Sequence, residues 1–91
     1  MFFNAVETLD PITSTTSAAQ ITTKSDPSYV GVSIQAIGGD IYYGDANVTT
    51  SNGQRIKQNE TVTLATKSPH LVYIIASDEY DVRIALYKGT R

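Results

Sequence analysis

The 91-residue chain has no cysteine and a single histidine. Without cysteine no disulfide can staple the fold, and no thiolate can ligate a metal or act as a nucleophile. His70, beside Pro69 in a turn, has no other His or Cys to complete a metal site and reads as a surface residue. Charges of either sign are sparse and scattered, with a net charge of −2. No basic patch offers itself to nucleic acid, and no polybasic or amphipathic stretch to a membrane surface. The longest apolar run, Leu71–Ala76, is far too short to span a bilayer. Met1–Glu7 lacks the basic start and long apolar centre of a secretory signal, so none is expected. Lys and Glu are too few for a helical protein, whereas Thr, suited to a pleated surface, is abundant in the predicted strands.

What the chain does have is alternation. In Tyr29–Ala36, Val30, Val32, Ile34 and Ala36 fall on one face and Gly31, Ser33 and Gln35 on the other, the period of a strand with one buried face. A weak strand is expected over 18–23, with Ala19 and Ile21 inward. The strongest runs over 29–37. Gly38-Gly39-Asp40, with glycine available for positive φ, is read as a tight turn into Ile41–Tyr43, so that 29–43 forms a hairpin. Asn47–Gly53 is a polar connection with a turn signal at Asn52-Gly53. A short edge strand follows over 54–57 with Ile56 inward, then 60–66 with Val62 and Leu64 inward. Residues 71–76, apolar on both faces, fit a central strand covered on both sides, the second cover coming from the chain or from a subunit interface, with Tyr73 in the core. Residues 80–87 close the series, with Val82, Ile84 and Leu86 inward. Strands recurring about every ten residues predict an all-β fold, a small antiparallel β-sandwich or barrel of six to eight short strands. A domain this small buries a modest core, and small unstapled cores often gain stability by oligomerising.

Residues 1–17 are expected to be an N-terminal arm or linker and 18–91 the single β-domain. Residues 1–12 are mixed, with Phe2, Phe3, Val6, Leu9 and Ile12 apolar and Pro11 ending any helical element, and Ile12–Ser17 is polar and linker-like. It is either a frayed end covering the core or an arm that docks on a neighbour. No catalytic grouping is expected. Asp78, Glu79 and Asp81 lack the spacing of a calcium loop and read as a solvated turn. No G-x-S-x-G elbow and no strand-to-helix phosphate loop is present. Asn47-Val-Thr49 and Asn59-Glu-Thr61 match the glycosylation acceptor pattern and are taken as chance. Of the adjacent Tyr42 and Tyr43, one must face outward, where a tyrosine serves interfaces or stacks on sugars.

The succession Val32-Ser-Ile-Gln-Ala36, Ile41-Tyr-Tyr-Gly-Asp45, Ser51-Asn-Gly53, Asn59-Glu-Thr-Val-Thr-Leu64 and Leu71-Val-Tyr-Ile-Ile-Ala76 resembles small β-sandwich virion proteins of tailed bacteriophages. The resemblance covers residues 29–87 and is a pattern of strands and turns. Asn59-Glu60 stands where such chains commonly carry glycine-glutamate. The resemblance implies a non-enzymatic structural protein without cofactor or metal, made in the host cytoplasm and built into the virion. It would be a capsid cement or decoration protein, a homotrimer in contact with the major capsid protein or other virion proteins, binding neither nucleic acid nor membrane. The candidate contact residues are Phe2, Phe3, Val6, Leu9, Ile12 and Tyr42. The alternatives are a tail or head–tail accessory protein, a carbohydrate-binding adhesion module, and, last, a small enzyme.

Overall fold

The structure, a computed structural model, describes residues 2–90, and the side chains of residues 6–89. The fold is an antiparallel β-sandwich of nine described strands: β1 (Phe2–Thr8), β2 (Ile12–Thr13), β3 (Ala19–Gln20), β4 (Tyr29–Ala36), β5 (Ile41–Gly44), β6 (Gln54–Ile56), β7 (Thr61–Ala65), β8 (Tyr73–Ile75) and β9 (Asp81–Thr90). A 3-10 helix, Pro69–Leu71, precedes β8. One sheet has the order β1-β9-β4-β7, with β2 also on β9, and the other the order β3-β8-β5-β6. Two separate sheets make the fold a sandwich and not a closed barrel.

The alternation read from the sequence builds the core. Val32, Ile34 and Ala36 of β4 and Val82, Ile84 and Leu86 of β9 face Ile21, Ile41, Ile56, Ile74 and Ala76 of the second layer, all buried. Val62 and Leu64 of the edge strand β7 are half-buried against this cluster. Fully burying an aliphatic side chain contributes about 1.5–3 kcal/mol, so this cluster is the main source of stability.

Three expectations are corrected. Residues 29–43 are not a hairpin: β4 pairs with β7 and β9, while β5 pairs with β6 and β8 in the other sheet. Gly38-Gly39-Asp40 is a crossing between layers, and neither glycine has positive φ. Gly39 is needed because Tyr80 lies on it; a Cβ there would stand 2.6 Å from Tyr80 Cζ. The one hairpin between consecutive strands of the second sheet is β5–β6, with Ile41 opposite Ile56. Val30 is buried but outside the core cluster, and Tyr29 takes the inward place. A register shift between Tyr29 and Gly31 against β9, a β-bulge, changes the phase of the alternation there. Tyr73 is half-buried and outside the core cluster, because Ile74 is the residue of β8 that faces inward.

The apolar second face of β8 is covered from within the chain's own layer. Ile75 is buried yet outside the core cluster, opposite Tyr42 in register. The loop between β5 and β6, read only as a polar connection, brings buried Val48 down against Gly44 and Gly53. The residue in the left-handed region is Asn59, with φ 71°. Asparagine tolerates that conformation better than most residues.

The N-terminal segment is not detached from the domain. β1 pairs along β9 from Phe2–Thr90 to Thr8–Ala85, with a bulge between Phe3 and Ala5, and β2 continues the same edge with Ile12 opposite Val82. The expected boundary at residue 17 therefore falls past the two edge strands. A bulge and Pro11 break the outer edge, as edge strands commonly are broken to discourage open-ended pairing.

Candidate functional site

Two surfaces stand out. The first is the outward face of the five-stranded sheet. Register places Val6, Tyr87, Gly31 and Ala65 in one row across β1, β9, β4 and β7, and Thr8, Ala85, Ser33 and Thr63 in the next. A third row holds Arg83, Gln35 and Thr61. Val6, Thr8, Thr61, Thr63 and Ala65 are exposed, and Ser33, Gln35, Ala85 and Tyr87 half-buried. Arg83, paired with Asp81 at 3.4 Å, is the one charged residue of these three rows. Val6 is 57 % exposed, and apart from Leu71 no large hydrophobic side chain among the described residues is so open.

A polar cluster ties β1 to the domain on the inner side of this edge. Glu7 lies opposite Leu86. Its carboxylate accepts hydrogen bonds from Lys24 Nζ and, at 2.9 Å, from the hydroxyl of buried Tyr29. The Lys24 ammonium first and the Tyr29 hydroxyl second hold the Glu7 carboxyl below its ordinary range. The same contact raises Lys24, and burial, then the bond to Glu7, pushes the Tyr29 phenol up. Lys88 Nζ sits 5.5 Å from the Tyr29 ring centroid. Asp26, just before the strand, is lowered by the Ser28 amide and hydroxyl that it accepts from.

The second surface lies at one end of the sandwich, where three layer crossings meet. Asp40 Oδ1 accepts from the Gln58 amide at 2.9 Å, joining crossings 37–40 and 57–60. The Ile37 amide donates to Asp81 O and Tyr80 packs on Gly39, which brings in the stretch 76–81. Ser14 fastens this stretch from the other side. Its buried hydroxyl donates to Asp78 O and accepts from the Tyr80 amide, both at 2.9 Å. Between the crossings lies a pocket of about 510 Å³, lined by Asp40, Tyr42, Thr50, Gln58, Ser77 and Tyr80.

The candidate contact residues are not brought together. Phe2 and Phe3 lie in β1, but their side chains are outside the described residues. Val6 is on the outward face, whereas Leu9 and Ile12 are half-buried against the core cluster, which makes them packing residues in this chain. Tyr42 is in the other sheet and lines the end pocket, while Tyr43 packs on the core, so the adjacent pair divides as alternation requires. His70 is half-buried in the 3-10 helix, with its Nδ1 enclosed and without a hydrogen-bond partner among the described residues. Asp78 and Glu79 are exposed, and among the described residues no three acidic, histidine or cysteine side chains are grouped to hold a metal. No helix among them is long and apolar enough to cross a membrane. Asp40, Gln58, Ser77, Tyr80 and the Glu7–Lys24–Tyr29 cluster were not singled out by sequence. Their partners are distant in the chain, and no local pattern signals the meeting.

No family model matches the chain, and comparison with curated proteins and with solved structures gives no match.

Proposed function

We propose that this chain is a non-enzymatic structural protein of a bacteriophage virion, a cement or decoration protein that stabilises the head. The observation that carries the proposal is the outward face of the five-stranded sheet. Its rows of mostly Gly, Ala, Ser and Thr, with Tyr87, Gln35 and Arg83 among them and exposed Val6 at the border, present a broad surface with one charged residue. Such a surface is shaped to lie against another protein, where small residues allow close approach and little charge has to be desolvated. The likeness of the strand-and-turn succession over residues 29–87 to small phage sandwiches supports the same role.

The proposed mechanism is energetic. A module that binds the assembled shell and not its dissociated parts stabilises the shell by mass action. A stable contact of standard size buries about 1,600 Å² in total. A homotrimer placed over a symmetry axis would engage three such contacts and gain avidity from their linkage. The partner would be the major capsid protein.

The test is the protein content of density-banded tailed-phage particles from the source culture. Peptides of this chain present at a copy number comparable to the major capsid protein, and retained in emptied heads, support a cement role. Absence from banded particles overturns it, and enrichment in detached tails moves the chain to the tail.

A further inference from the structure

The end pocket gathers hydrogen-bonding groups that the fold leaves unused. Asp40 uses Oδ1 on the Gln58 amide, and among the described residues no donor engages Oδ2. Among the described residues, the side-chain polar atoms of Tyr42, Thr50, Gln58, Ser77 and Tyr80 have no hydrogen-bond partner within the chain, although all five line the same concavity. Four hydroxyls, one primary amide and one carboxylate oxygen thus surround a space of about 510 Å³, within the range of roughly 300–1,000 Å³ usual for small-molecule sites. The groups come from three layer crossings, the start of β5 and the β5–β6 loop, the kind of loop cluster at the end of a sandwich that a rigid scaffold holds in place for recognition.

The chemistry of the lining narrows the ligand. Asp40 is the one acidic side chain of the lining, and no Lys, Arg or His is present in it to take an anion. A single carboxylate is too few ligands for a divalent cation. Tyr42 brings an aromatic ring with a polar rim, while Tyr80, whose ring lies over Gly39 and packs on the core, contributes its hydroxyl. A carboxylate acceptor, an amide that both donates and accepts, and hydroxyls that do the same match the alternating hydroxyls of a sugar ring. The C–H face of that ring has Tyr42 to pack on.

We propose that this pocket binds a neutral saccharide, one sugar unit of a larger glycan, with Asp40 accepting from its hydroxyls, Tyr42 packing against it and the Tyr80 hydroxyl hydrogen-bonding to it. The site stands on the pocket alone and is independent of the virion role, whose surface is in the other sheet. A virion protein with such a site would attach particles to glycan-bearing surfaces, but the binding itself needs no virion.

The experiment is an amide-resonance titration of the full chain with glucose, galactose, mannose, N-acetylglucosamine and short oligomers of each, with sialic acid as the anionic control. The expected result is a saturable shift with at least one neutral sugar, confined to residues 38–42, 50, 58 and 77–80. Tyr42→Ala and Asp40→Asn should each weaken it by about tenfold, the effect of losing one good contact, and Thr63→Ala, on the other sheet, should leave it unchanged. Thr50→Ala, in an exposed loop, serves if either of the first two fails to fold. No saturable shift with any neutral sugar, a response to sialic acid alone, or shifts mapping away from these residues overturns the proposal. So does a response insensitive to the pocket variants.

Discussion

The Tyr29 hydroxyl donates a 2.9 Å hydrogen bond to Glu7 Oε1, and so joins the first residue of the central strand β4 to the outermost strand β1. Tyr29 is buried in the core while Glu7 sits at the sheet's edge with Lys24 as its second donor. The pair makes the edge strand's attachment depend on protonation at both ends of the pH scale. The Glu7 pKa is lowered from its ordinary 4.5, so its contribution is present above that value and lost as pH falls through the lower, folded value. The Tyr29 pKa is raised from 10.0, so its contribution is present below that value and lost as pH rises through the higher one. Thermal midpoints followed by circular dichroism should fall at both extremes. Glu7→Gln should shrink the acid limb, with Asp26, also lowered, keeping its own part. Tyr29→Phe should remove the phenol's share of the alkaline limb. An acid limb unchanged in Glu7→Gln would show that the cluster does not hold β1.

Ser14→Ala removes a hydroxyl that serves the Tyr80 amide and the Asp78 carbonyl at once in a buried place. Leaving such groups unsatisfied costs about 1–3 kcal/mol. Urea unfolding should show that loss with an unchanged slope, and amide exchange at Tyr80 should accelerate more than exchange in β9.

Gly53→Ala is expected to destabilise by about 1–3 kcal/mol through overpacking. The new methyl would stand 2.7 Å from Val48 Cγ2, 2.8 Å from Tyr42 Cβ and 3.0 Å from Thr49 O. Adding Val48→Ala should recover only part of the loss, since Tyr42 Cβ and the Thr49 carbonyl remain. A neutral Gly53→Ala in denaturant unfolding would mean that the β5–β6 loop is not seated on the sheet as described.

Ile34 and Ile84 face each other across the central strands with almost no exposure. Truncating either to Ala should cost about 2–5 kcal/mol, a large part of the 5–15 kcal/mol typical of a domain. The midpoint of chemical unfolding should drop sharply in both. A loss below 1 kcal/mol in both would place the core elsewhere.

The strands around Ile34, Val62 and Ile84 were legible because alternation with period two is a local property of strands, and each had one face to bury. Pairing was not legible, because alternation says which way a side chain points and not which strand lies beside it. Thus Ala36-to-Ile41 reads as a hairpin turn, when the space for the Tyr80 ring over Gly39 is what the glycine provides. The bulge at Tyr29 shifted the phase by one residue and exchanged Val30 for Tyr29 in the core. In the end pocket Tyr42 was visible as an outward aromatic. Asp40, Gln58 and Tyr80 were not, because three crossings between layers bring them there.

A head-stabilising role is tested most directly by the temperature at which purified phage particles release their DNA, measured with and without this chain. Particles lacking it should release DNA at a lower temperature, and purified protein added back should restore the original value. Val6→Asp, which places a charge on the exposed outward face, should fold normally and fail to restore it. Identical release temperatures with and without the chain would contradict the role.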